Sequence, residues 1–566
     1  FSPGVSGNSN DSFIDRVNIR GISTNDFGVG GDPSIAFFKN GFYQGRNGVA
    51  VTSLFDLERA EVLRGPQGFL FGRNAIGGAI NIHTAKPDFD NHSGFIEVGV
   101  GERDIYEFEG AYNVPLNEQA ALRVAGYYSH EDGFISNVAR PQDDDLVGHE
   151  KVAVRSALAL RGEIWDATLT VEYEDREQSG TVYRAIEDEE FFPAIRDAIG
   201  IDGIRGNARQ IDSNIGLGNF DEGEILAFTS EINVDASFGR ITSLTQYRDH
   251  TFNYAEDFDG TPVSINDYSQ FQSGDYFEQE IRVVSDTTGP LSWYAGASIY
   301  SEDIDALFVQ GSNEEAQCQY YYYSSCSDYF AYYGFGTFTP SPEGLIESGR
   351  VLGDYWGWAA YLDLTYAVTD KLTFSAGLRY SYDEKEFAIN VLPVTSDIGP
   401  FFIYGFTTDG FISDTQSSDD FTPRFAVIYE ATDDLTLYGS ITRGYKAGGF
   451  GTFGINLGPD GLDDNSVALP GAVPNSFDPE TVWSYEAGIK GKLAGGRVRY
   501  DVSGYYYDYT DLQLSFFEEG GLRVANVGSV EGGGVEATVQ AVVNEYFDLY
   551  AAFTFQDSSV SGADAV

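Results

Sequence analysis

From about Ser93 onward the chain is a succession of segments, each about ten residues long, in which apolar positions alternate with polar or small ones. Clear instances are residues 120–129, 167–174, 372–382, 435–442 and 497–508. Period-two alternation predicts strands with two different faces. In 435–442, Leu435, Leu437, Gly439 and Ile441 share one face, while Thr436, Tyr438, Ser440 and Thr442 share the other. The first face suits lipid and the second a wet lumen. About seventeen such segments can be counted, and the connections between them alternate in length. Short links fall at 115–118, 162–164, 236–239, 285–290, 369–371, 432–434, 491–495 and 543–545; long ones fall at 177–224, 303–354, 384–420 and 446–479. A soluble sandwich has no reason to place every long loop at one end. A barrel with short periplasmic turns and long outer loops does.

The first ninety or so residues do not follow this rhythm. A short β-type run at 60–63 leads to a turn at Gly65-Pro66, and the Gly77-Gly78 pair precedes a second apolar run at 79–82. Glycines there permit positive φ or close backbone approach. The motif order is specific: IRG at 19–21, LER at 57–59, then LRGPQG, LFG and GGAINI within 57–87. Together these resemble the plug domain of TonB-dependent outer-membrane receptors. Two later stretches extend the resemblance, TPRFAVIYEATDDLTLYGSITRGYKAGGFG at 422–451 and FDPETVWSYE at 477–486. One departure is Asn40-Gly41 where the family often reads Asp-Gly, and both pairs make tight turns.

The resemblance implies a mainly β fold: a transmembrane antiparallel β-barrel, with 22 strands in the family and about seventeen here, around an amino-terminal α+β plug in its lumen. It places the carboxy-terminal part of the plug at 1–90 and the barrel at 91–566, with the TonB box and the last strands expected outside these residues. It further implies active import across the bacterial outer membrane, energised by a TonB–ExbB–ExbD complex. A ferric siderophore is the default cargo; cobalamin, an oligosaccharide and, least favoured, haem are the runners-up. Carried over by motif, plug residues Arg20 and Arg64 are expected to meet wall residues Glu486 and Glu536 as a charge lock that fixes position more than it stabilises. By position, ligand-facing apices are expected at Asn25, Asp26 and Phe27 and at Arg46 and Asn47.

Composition agrees with a barrel and narrows the chemistry. A chain of 566 residues exceeds one ordinary soluble core. Aromatics at 15% and 66 glycines suit strands, turns and aromatic girdles. No apolar run is long enough for a transmembrane helix, and no signal peptide opens at Phe1. A formal charge of -53 argues against nucleic acid as a partner. Acids at 143–145, 187–190 and 463–464 fit a solvated exterior, or cationic ligands and divalent ions, although nothing matches a defined calcium loop. They weigh against a highly anionic catecholate cargo. Cys318 and Cys326 in CQYYYYSSC would pair as a disulfide in a cell-surface loop; in a cytosolic protein they would be free thiols or metal ligands. Around them Tyr320, Tyr321, Tyr322, Tyr323, Tyr329, Phe330, Tyr332, Tyr333 and Phe335 form an aromatic tract that either stacks on a ligand or packs the loop on itself. No catalytic constellation, cofactor motif or metal site stands out, and adjacent acids such as Glu256 and Asp257 read as a solvated loop. Rival readings are a passive porin or adhesin, a secreted β-rich binding protein, and a regulatory receptor with a signalling domain before Phe1.

Overall fold

The computed structural model describes residues 3–8, 16–23, 28–46, 53–141, 146–185, 205–320, 324–400, 403–518 and 521–561. Among the described residues seventeen strands form a closed barrel, from Ser93–Val100 to Phe547–Ser561 in chain order. Sixteen antiparallel ladders join them. The odd count gives the first and last strands the same direction, so their junction is not one of these ladders, and both are exposed along nearly their whole length. Among the described residues no helix is long and apolar enough to cross a membrane.

Strand Leu345–Thr369 shows how the sequence sets the wall. Buried and exposed residues alternate along it, with Val351, Tyr355, Ala359 and Tyr361 inward. The outward row reads Arg350, Leu352, Asp354, Trp356, Trp358, Ala360, Leu362, Leu364, Tyr366. The ten steps from Trp356 to Tyr366 cover about 33 Å of strand. Tilted at about 40°, they span roughly the 25 Å apolar band of an outer-membrane barrel, with aromatic residues at both edges. Charged Arg350 and Asp354 lie beyond the upper edge.

The strands outrun the segments of about ten residues read from the sequence. Leu291–Ser312 has 22 residues, Leu345–Thr369 has 25 and Ile412–Thr432 has 21. Long connections shrink accordingly, that at 303–354 becoming 313–344. The reason is physical: beyond the apolar band the outward face is also polar, so the ladder continues while the hydropathy alternation fades. At that level five acids face outward in one cross-strand row, Asp249 opposite Asp275, Asp275 opposite Asp303, Asp303 opposite Asp354 and Asp354 opposite Glu386.

Inside lies a four-stranded sheet in the order Phe42–Tyr43, Ile35–Lys39, Gly78–Thr84, Leu57–Arg64, with Ile35–Lys39 parallel to Gly78–Thr84. The two β-type runs read from the sequence thus pair with each other. The glycine pair between them is a packing requirement, since a Cβ on Gly77 would meet the side chains of Ile22 and Ile35 at 2.7 Å. Ala36, Phe38, Tyr43, Ala75 and Ala79 form the core of this small body and share it with Tyr276 of the wall. Its residues bond to strands all around the barrel, through Arg123, Glu172, Gln246, Tyr355, Tyr509 and Glu536 among others, so it sits in the lumen.

The apolar band makes a depth-dependent prediction. Leu362→Arg places a charge at mid-band and is expected to cost about 2–4 kcal/mol, whereas Leu352→Arg, above the band, costs about 0–1 kcal/mol. Denaturant unfolding in lipid vesicles measures both, and equal costs would place the band elsewhere.

Candidate functional site

Glu486 and Glu536 lie on strands Glu480–Leu493 and Ser529–Asn544, flanking Val498–Thr510. Register places Tyr505 opposite both Glu486 and Gly534, so the two acids and the ring converge on the inner wall. Arg20 follows the plug strand Arg16–Ile19 at φ 53 and reaches into this corner. Its guanidinium forks onto Glu536, with Nε to Oε1 at 3.0 Å and Nη2 to Oε2 at 2.9 Å. Nη2 also lies 2.9 Å from Glu486 Oε2, and the group stacks 3.9 Å from the centre of the Tyr505 ring. Arg64 Nη1 contacts Glu536 Oε2 at 2.7 Å. The structure therefore brings all four motif residues together, but unequally. Arg20 is buried and shared between both acids, while Arg64 is partly exposed and touches Glu536.

A second cluster, not found by sequence reasoning, occupies another arc of the wall. Asp32 of the plug accepts from Lys385 Nζ at 2.8 Å and lies 3.3 Å from Arg46 and 3.6 Å from Arg73. Arg46 forks onto Glu302 at 3.0 and 3.1 Å, and Arg73 approaches Asp383 at 3.6 Å and stacks on Tyr300. Burial pushes the Asp32 carboxyl up, yet Lys385, Arg46 and Arg73 outweigh it and hold the group well below the usual range. Arg46 was expected at a ligand-facing apex; it is instead buried and committed to Glu302 and Asp32, because the wall supplies carboxylates at its level. Further pairs, Lys39 with Glu172 at 2.6 Å and Asp56 with Arg123 and Arg155, fasten the plug elsewhere. Each partner lies far away in sequence, and no local motif signals it.

Above the plug, outer loops fold inward. Strands Val473–Phe477, Gly449–Asn456, Gly521–Asn526 and Gln513–Glu518 make a separate four-stranded sheet. It rests on the plug at Gly30, whose N–H donates to Thr452 Oγ1 at 3.0 Å and whose carbonyl accepts from Phe450 N at 3.1 Å. Phe450, Phe453 and Ile455 are buried there with Val29, Phe308, Tyr355 and Phe387. This cap covers the plug at Val29 and Gly30.

The other expected positions separate. Cys318 and Cys326 are joined as a disulfide with Cα atoms 5.2 Å apart. Phe330 and Phe338 pack against it, whereas Tyr332, Tyr333 and Phe335 are exposed. Glu314 accepts from Ser341 N within that loop and from the Ser396 hydroxyl of a neighbouring one. Asn25, Asp26, Phe27, Asn47, Tyr321, Tyr322, Tyr323, the Tyr320 side chain and the acids at 143–145 and 187–190 lie outside the described residues. Asp463 serves its own turn, accepting from the N–H groups of Asn465 and Val467 at 2.8 Å. A trough lined by Leu364, Phe374, Phe425 and Ile441 lies on the lipid-facing side and takes no part in this site.

Two expectations follow from this geometry. Arg20→Ala leaves Glu536 buried with only Arg64 beside it and is expected to destabilise plug seating by about 3–5 kcal/mol. Arg64→Ala, which spares the Arg20 fork, is expected to cost about 1 kcal/mol or less. Antibiotic leakage into cells and conductance in planar bilayers rank the two, and the reverse order would contradict the geometry. Gly30→Ala puts a Cβ 2.0 Å from the Phe450 carbonyl. It should lift the cap and raise protease sensitivity within 449–456; an unchanged digestion pattern would show that the cap does not bear on Gly30.

Comparison with known proteins agrees with this architecture. The family model described as TonB dependent receptor-like, beta-barrel matches residues 172–566, and the TonB-dependent Receptor Plug Domain matches residues 1–79. The pesticin receptor of Yersinia enterocolitica is 24% identical over 540 residues, covering 94% of this chain and 67% of that protein. Among solved structures, the ferric yersiniabactin uptake receptor of Yersinia pestis superposes with a TM-score of 0.75 at 19% identity, over 99% of this chain and 75% of that one. A siderophore receptor from Acinetobacter baumannii gives 0.68 at 17% identity, again over 99% and 75%. With plug and barrel both matched, the chain belongs to the TonB-dependent receptors, the plugged β-barrels of the bacterial outer membrane.

Proposed function

We propose that this protein imports a ferric siderophore complex, with energy delivered by a TonB–ExbB–ExbD complex and the apolar band seated in outer-membrane lipid. The observation that carries the reading is the plug's seat: a folded body fills the lumen, is fastened by ion pairs on several arcs of the wall, and is covered by inward-folded loops. A passive porin or adhesin has no use for such an occluded and charge-latched pore. The cargo class rests on the relatives, whose names include ferric yersiniabactin uptake and siderophore receptors. The acidic exterior favours a neutral or cationic chelate over a highly anionic one. The plug is taken as residues 1–90 and the barrel as 91–566, with no catalytic role assigned to either. Within the site, the Arg20–Glu536 corner serves as the latch that must loosen for passage, and Tyr332 and Tyr333 are candidates for first contact with ligand.

A strain lacking the gene, grown on single iron sources and single glycans, tests the reading together with binding of the same compounds to purified protein. Growth should fail on one ferric siderophore and return on complementation, with direct binding of that chelate. Loss of growth on one glycan or on cobalamin with iron uptake intact would reassign the cargo.

A further inference from the structure

Glu256 and Asp257 are not the solvated loop acids their sequence suggests. Both are buried at the outer end of strand Gly239–Asp257, where Glu256 accepts from Tyr254 Oη at 2.6 Å. Asp257 lies directly opposite Asp267, the first residue of the next strand, and Asp259 sits in the turn between them. One oxygen from each of Asp257, Asp259 and Asp267 lies within 4.8 Å of the others. Two oxygens on one calcium ion at about 2.4 Å can be separated by no more than about 4.8 Å, so the spacing permits a shared coordination sphere.

Hydroxyl and backbone N–H donors, rather than cations, surround these acids. Asp257 Oδ1 accepts from the N–H groups of Asp259 and Gly260 at 3.1 and 3.0 Å, and Oδ2 from the Ser213 hydroxyl. Asp259 accepts from Thr261 N at 2.9 Å, Ile265 N at 3.0 Å and Asn266 N at 2.8 Å. Asp267 Oδ2 accepts from the Ser264 hydroxyl and the Gly216 N–H approaches the carboxyl, while Oδ1 is buried without a partner of good geometry, on a residue 2% exposed. Among the described residues no lysine or arginine is ion-paired to any of the three; Arg205 of the adjoining loop goes to Asp212. Left ionised without a cation, three convergent carboxylates, one with an orphaned oxygen, carry an uncompensated cost. A bound cation removes it.

We propose that Asp257, Asp259 and Asp267 bind one calcium ion, which clamps the outer hairpin turn to the preceding loop. All three ligands are hard oxygens, without histidine or cysteine, which favours calcium over transition metals. The clamp joins two loops because Ser213 bonds Asp257 and Gly216 approaches Asp267 so closely that a Cβ there would meet Oδ2 at 2.1 Å. Ser213 is in turn tied to Asn137 of an earlier loop, whose Nδ2 donates to its carbonyl at 2.7 Å. Calcium outside the cell would thus order a patch of the outer rim, whatever the cargo.

The test uses the full chain in detergent, stripped with a chelator and titrated with calcium chloride by calorimetry, with thermal unfolding followed in parallel. One ion per chain is expected, with a dissociation constant of about 10⁻⁴–10⁻³ M, in the range of extracellular calcium modules. Asp257→Asn, Asp259→Asn and Asp267→Asn should each weaken binding about tenfold or more. In chelator, Asp267→Asn should unfold no earlier than wild type, since a like-charge repulsion is gone; with calcium, wild type should become the more stable. Absence of saturable binding to wild type, or unchanged affinity in Asp267→Asn, would overturn the proposal. So would an Asp267→Asn protein less stable than wild type to the same degree with and without calcium, which would mark the residue as a hydrogen-bond anchor alone.

Discussion

The structure depends on a body that must be held in place inside a polar tube without adhering to it through a broad apolar surface. Desolvated ion pairs meet that demand. A buried guanidinium–carboxylate fork is directional, so it specifies one seat, yet desolvation offsets most of its attraction and leaves little net binding to overcome. Arg20 on Glu536, Arg46 on Glu302 and, with the charges exchanged, wall Arg123 on plug Asp56 are such forks, on separate arcs of the wall. An apolar interface of the same extent would fix the plug more firmly and tolerate sliding.

The same electrostatics place the acidic excess. Carboxylates facing the lumen are answered by plug cations, as Glu172 is by Lys39, while plug acids such as Asp56 are answered by wall arginines. Outward acids collect above the aromatic edge of the apolar band, and the row from Asp249 to Glu386 sets like charges directly opposite one another across four ladders. Such pairs are unfavourable, and only water and counter-ions relieve them. The row therefore could not lie within the band, and it marks where the strands leave lipid.

How much of this was legible in the sequence follows from how locally each feature is encoded. Alternation in 435–442 is a property of neighbouring residues, and Leu437 and Ile441 are indeed exposed on the outer face while Tyr438 bonds Glu486 inside. The glycine pair at 77–78 announced a close approach that the packing requires. Arg20, Arg64, Glu486 and Glu536 could be named because motifs flank them. The Asp32 cluster could not: Asp32 and Lys385 are separated by 353 residues, and neither stands in a distinctive pattern. The hydropathy pattern understates strand length for a related reason, since hydrogen-bonded ladders continue where the signal that reveals them stops.

The turn from Gly30 to Asp32 links the cap to the plug's fastening. Gly30 exchanges hydrogen bonds with Thr452 and Phe450 above, its carbonyl also accepts from Lys385 Nζ at 3.4 Å, and Lys385 in turn holds Asp32. A ligand that displaced Phe450 would free the Gly30 carbonyl and leave Lys385 as its partner, shifting the balance around Asp32 without touching Arg20. Because Asp32 is shared by Lys385, Arg46 and Arg73, a small movement there changes several buried pairs together, and buried pairs are steep in distance. The Arg20–Glu536 corner lies on other strands and would still hold the plug's register. The Asp32 cluster and the Arg20–Glu536 corner thus rest on different strands, so a change at one does not by geometry require a change at the other.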